Sequence, residues 1–137
     1  MIVSSKQKQL HAETIAAAHA LRDAVQSGGI PVGFGQLRMS FAGASKDMLA
    51  SVQAVMAKLD FDMRRQLPGL ERVVNSEREL RLIYSQHVSR WPTTAIEADF
   101  SRYAAEVCAL VARVKPHTEL LEKELYEPAA RMFAIIV

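Results

Sequence analysis

Ile96, Phe100, Tyr103, Val107, Leu110, Val114, His117, Leu121 and Leu125 follow one another in steps of four and three residues over about eight turns. A strand alternates every second residue and cannot produce that spacing. The chain is therefore committed to a long helical run with one apolar face, and the rest of the sequence has to supply faces to meet it.

Three further stripes do so. Leu10, Thr14, Ala17, Leu21 and Val25 recur at helical spacing after Ser4 and Gln7, which are placed as a capping box, and Ser27-Gly28-Gly29 ends that helix at Gln26. Leu37, Phe41, Ala44, Met48, Val52, Val55 and Leu59 form the seam of a second helix. Leu80, Tyr84, His87 and Trp91 form a third, which is expected to open on the box Ser76…Glu79 and to close at Pro92. The fourth is expected to open on Thr94…Glu97 and to kink near Val114, because Pro116 removes a backbone donor inside it. Between the second and third stripes, Pro68-Gly69 predicts a bend or a short helix. Four amphipathic segments with short connections bury their stripes most simply as an all-α, antiparallel, up-down-up-down four-helix bundle in a single domain, residues 1–137.

Composition narrows the function classes. The chain is 50% hydrophobic and 23% charged, as a packed globular domain requires, and a net charge of +2 from interspersed side chains advertises no face for nucleic acid. No apolar run approaches the ~20 residues of a membrane span, and the polar start MIVSSKQKQ does not read as a signal peptide. The single cysteine, Cys108, precludes an internal disulfide, which suits a reducing compartment and leads to a cytoplasmic expectation.

Polar side chains on the stripes are the candidates for chemistry. His87 and His117 lie on the third and fourth stripes and His19 beside the first, so three imidazoles from three helices are available to a metal; His11, near the first helix's start, reads as solvated. The competing reading of each is a core histidine satisfied by a neighbouring hydrogen-bond acceptor. One such histidine in an apolar core also has the makings of a general base, but no acid or nucleophile can be named beside it. The run GGIPVGFG lacks the Lys-Ser/Thr of a phosphate loop. Its Ile30, Val32 and Phe34, with Phe61 and Met63 at the later bend, either fold over the bundle or form an apolar contact surface for another protein. Met39, Met48, Met56 and Met63 read as adaptable core filler.

Tyr84…Arg90-Trp91…Ala95-Ile96…Asp99…Tyr103…Glu106…Leu110, the closing Glu124-Leu125-Tyr126 with Pro128, and more faintly Phe41-Ala42-Gly43-Ala44…Lys46…Leu49-Ala50 resemble the hemerythrin-like, or HHE cation-binding, four-helix proteins. The resemblance implies a non-haem di-iron centre held by histidines and by H-x-x-x-E pairs. It places Met48 and Val52 where one His and Glu would stand, and Leu121 where the carboxylate partner of His117 would stand. Hard cations need bridging carboxylates, and none is supplied at these three vacated positions. The expectation is a non-enzymatic binding or interaction scaffold without a cofactor, its core degenerated or redesigned from such a protein. The alternative expectation is a metal-binding protein using non-haem iron or another transition metal on His19, His87 and His117.

Overall fold

A computed structural model describes residues 5–30 and 32–136 of the 137. Among these all regular structure is helical. In chain order the elements are α1 (Ser5–Gln26), α2 (Phe34–Ala57), α3 (Phe61–Arg65), α4 (Leu70–Arg90), α5 (Thr93–Ala98), α6 (Phe100–Val111), α7 (Val114–Leu121) and α8 (Glu127–Ile136). A π-helical segment, Glu122–Tyr126, joins α7 to α8. The capping pair expected at Ser4 lies outside the described residues.

Local chemistry explains most of the boundaries. The connection after α1 uses left-handed backbone at Gly28 (φ 95°) and Gly33 (φ 80°), conformations that a side chain would strain, and α2 starts directly after the second of them. Asp60 caps α3 by accepting the Met63 backbone N–H at 2.8 Å. Pro68-Gly69 does break the chain, as expected.

Two helix starts differ from the expectation. α4 begins at Leu70, not at Ser76, so Ser76 and Glu79 are interior residues and their side chains are free for tertiary contacts. Packing of Val73 into the core outweighs the capping signal and extends the helix backwards. Thr94 and Glu97 likewise form no cap, since α5 opens at Thr93 behind Pro92.

The fourth stripe is not one continuous helix. Asp99 leaves helical conformation (φ −147°) and its carboxylate accepts the Arg102 N–H at 3.3 Å, ending α5 and capping α6. A second interruption falls at Ala112-Arg113, slightly before the kink expected near Val114. Pro116 lacks the N–H that would bond the Ala112 carbonyl, so the helix restarts with proline in its first turn, where no intrahelical donor is needed. The π segment has a similar cause. Pro128 would crowd the Glu124 carbonyl in α-helical register, and the Glu127 N–H bonds Glu122 five residues back instead.

α1 packs against α2, α6 and α7, and α4 packs against α6, α7 and the π segment. The stripes meet in two apolar clusters. One gathers Leu21, Val25, Phe34, Phe41, Trp91, Ile96, Tyr103, Val107 and Leu110. The other gathers Met48, Val52, Val55, Leu59, Met63, Leu67, Leu121, Leu125 and Tyr126. Among the described residues no helix is long and apolar enough to cross a membrane.

Candidate functional site

α2 and α4 make few direct contacts with each other, and a cavity of about 580 Å³ lies between them. Small side chains leave this space open: Ala42 and Ser45 on α2 face Ser85 and Ser89 on α4. Phe41, Met48, Leu80, Leu110 and Val114 supply an apolar lining, and Val88, 47% exposed, extends it to the surface. A volume of this size lies within the ~300–1,000 Å³ of small-molecule sites.

The polar groups on the lining are few. Lys46 comes from α2 and Arg81 from α4, both exposed. Among the described residues neither side chain makes an ion pair or a hydrogen bond. Tyr84 packs edge-on against Phe41 with ring centroids 5.5 Å apart, and burial pushes its phenol above the ordinary value against the opposing pull of Arg38. Thr14, from α1, turns its hydroxyl away to the Leu10 and Ala44 carbonyls at 2.8 and 3.3 Å.

Glu77 also reaches the lining, with its side chain only 12% exposed. Its carboxylate stands 2.5 Å from His117 Nε2, while Ser76 Oγ stands 2.7 Å from His117 Nδ1. With Nε2–H aimed at the carboxylate, Nδ1 accepts from the Ser76 hydroxyl. Ser76 and His117 face a second opening of about 370 Å³, so this chain of hydrogen bonds runs from one cavity towards the other.

The three histidines expected to share a metal have separate surroundings. His117 is engaged by Ser76 and Glu77. His87 is buried, stacks on Tyr103 at 5.5 Å and faces Glu106 at 3.3 Å; Glu106 also accepts from Trp91 Nε1 and from Arg90. Burial holds the His87 pKa below its usual value, outweighing the Glu106 hydrogen bond. His19 is half-buried beside Arg22, Cys108 and Lys115 at a shallow opening of about 340 Å³. His11, expected in solvent, is 3% exposed, lies against Tyr126 and is 2.9 Å from Glu122. Its buried position follows from α1 packing against α7, which brings His11 onto Tyr126 and Glu122 of the π segment.

Met48, Val52 and Leu121 come together in one apolar cluster. Their side chains offer no oxygen or nitrogen donor, so these positions do not fit a di-iron centre. Among the described residues no three His, Cys, Asp or Glu side chains are grouped to hold a metal ion.

Of the five residues placed in an apolar contact surface, Ile30, Val32 and Phe61 are exposed, the last at 75% with the Arg65 guanidinium over its ring. Phe34 and Met63 are turned inward. Phe34 meets Tyr103 edge-on at 5.8 Å, and Met63 joins the second apolar cluster. Both stand in the first turn of a helix, which swings one side chain over the core.

The sequence pattern does not single out Lys46, Arg81, Ser76 or Glu77 as site residues. Ser76 reads as part of a capping pair, and the other three lie just off the apolar stripes. The available signal was the small residues Ala42, Ser45, Ser85 and Ser89, spaced three or four apart beside the stripes of two helices. Comparison of the chain with models of protein families, with curated proteins and with solved structures gives no match.

Proposed function

We propose that this chain is a non-enzymatic binding protein whose site is the cavity between α2 and α4. The observation that carries the reading is the cavity itself: about 580 Å³ of largely apolar space, reached from the surface, in a chain whose other stripe residues are packed. The architecture belonging to this reading is an up-down-up-down four-helix bundle of the hemerythrin-like type, with α1, α2, α4 and the run from α6 to α8 as its rods. It is supported by α1 packing on α2 and α6 while α4 packs on α6 and α7. In this reading Met48, one of the vacated ligand positions, contributes to the lining of a ligand site.

The test is titration with a neutral apolar fluorophore such as N-phenyl-1-naphthylamine. Saturable binding of one probe per folded chain is expected, abolished by Ala42→Trp, which fills the mouth from an exposed position and leaves the core intact. Probe binding that is unsaturable, or unchanged in Ala42→Trp, refutes the proposal.

A second reading has one specific observation behind it. Ser76, His117 and Glu77 present a hydroxyl, an imidazole and a carboxylate in series, the order used in nucleophilic hydrolysis. It ranks second because Ser76 sits inside α4, where the neighbouring backbone N–H groups are committed to the helix and offer no pair of donors to an oxyanion. An active-site phosphonofluoridate should label Ser76 in this case and fail to label the His117→Gln variant. Absence of any covalent adduct on Ser76 by mass spectrometry disposes of it.

A further inference from the structure

We infer that the ligand of the α2–α4 cavity is a linear, single-chain amphipathic carboxylate, with its tail on the apolar lining and its head between Lys46 and Arg81. The inference rests on the reading of this cavity as a binding site and adds the chemical class.

Charge complementarity selects the class. Lys46 and Arg81 project from opposite walls of one apolar cavity, and among the described residues neither is neutralised by a carboxylate of the chain. Arg72, Arg90 and Arg113, by contrast, are each paired with a glutamate from another element. The carboxylate that does reach the lining, Glu77, is engaged by His117 and so leaves the two rim cations to an incoming anion. Arg81 offers a planar fork that suits two carboxylate oxygens, and Lys46 adds a mobile ammonium from the facing helix.

Shape selects the tail. From Glu77 to Ser89 the α4 wall runs about 18 Å, at 1.5 Å per residue. The lining beneath is aliphatic and aromatic, with Phe41, Met48, Leu110 and Val114 supplied by three different elements. A flexible methylene chain can follow such a lining, and methionine adapts to its width. Ser85, Ser89 and the two cations are exposed, while the more buried Thr14 and Glu77 have their polar atoms engaged within the chain, so head and tail of the ligand are separated in the same sense as the site.

The experiment is displacement of bound N-phenyl-1-naphthylamine by octanoate, decanoate and dodecanoate below their micellar concentrations, with decanol and decyltrimethylammonium as head-group controls. Affinity should rise about tenfold for every two methylenes added. Decanol should bind about tenfold more weakly than decanoate, and the cationic amphiphile more weakly still. Lys46→Ala/Arg81→Ala should bring decanoate to the level of decanol, and an unchanged far-ultraviolet circular dichroism spectrum shows that the variant is folded. If decanoate and decanol displace the probe equally in the unmodified chain, the carboxylate assignment is wrong and the cavity reading stands. If the probe itself does not bind, both fall. A chain that sediments as a dimer and binds the probe only on dissociation assigns the groove to a second copy and overturns the inference.

Discussion

Each buried histidine in this chain faces a glutamate from a distant part of the sequence: His11 with Glu122, His87 with Glu106, His117 with Glu77. Burying an imidazole without a partner for its N–H is costly, and a carboxylate brought in from a neighbouring helix removes that cost while fixing the relative placement of the two helices. His117 is the most enclosed case, with both ring nitrogens occupied. Removing one partner should therefore be worse than removing both. Glu77→Leu is expected to destabilise the fold by ~1–3 kcal/mol, whereas adding His117→Leu should recover a large part of that loss. The measurement is a double-mutant cycle in urea. Additive losses from the two substitutions would show that the pair is not coupled.

Among the elements, what could be read in advance was burial, and what could not was continuity. The stripe from Ile96 to Leu125 does face the core throughout, because side-chain direction depends on the number of residues elapsed and survives a local break. The breaks themselves turn on single residues in competition with the stripe. Asp99 wins against helix continuation because its carboxylate can take the Arg102 N–H, and Ser76 loses as a cap because Leu70 and Val73 extend α4 backwards into the core. Gly69, just before α4, lies close against the π segment: a Cβ there would collide with the side chain of Glu124, which is itself drawn in by Arg72 at 2.7 Å. No periodicity encodes such a contact, since it joins residues 55 positions apart, from 69 to 124. The candidate site was legible only in outline. Met48 was marked as a core position, but an empty volume is created by what neighbouring helices lack, and Ala42, Ser45, Ser85 and Ser89 read singly as ordinary solvated residues.

Taken as a whole, the molecule buries groups that change charge on opposite sides of neutrality, and this sets the shape of its stability against pH. His87 is the acid-side group. Burial lowers its pKa from the usual 6.5, with Arg38 and Arg90 adding repulsion and Glu106 opposing them. Just below 6.5 the unfolded chain therefore binds this proton more readily than the folded one, so stability falls as the pH drops through that region towards the folded value. On the alkaline side Tyr84, Tyr103 and Tyr126 are all raised above 10.0, chiefly by burial, with Ser51 partly offsetting the rise at Tyr126. The folded chain holds those protons longer than the unfolded one, so stability is present below 10.0 and is lost as the pH climbs beyond it. The urea midpoint should accordingly be flat near neutrality and decline on both sides. His87→Gln should shallow the decline between about pH 7 and about pH 5, where an ordinary imidazole titrates. Tyr103→Phe, which deletes a buried hydroxyl lacking a hydrogen-bond partner, should shallow the alkaline decline without lowering the midpoint at neutrality. An acid limb of unchanged steepness in His87→Gln would mean that carboxylates alone drive acid unfolding. In that event the stacking of His87 on Tyr103 and its hydrogen bond to Glu106, and not its protonation state, would be its contribution to the core.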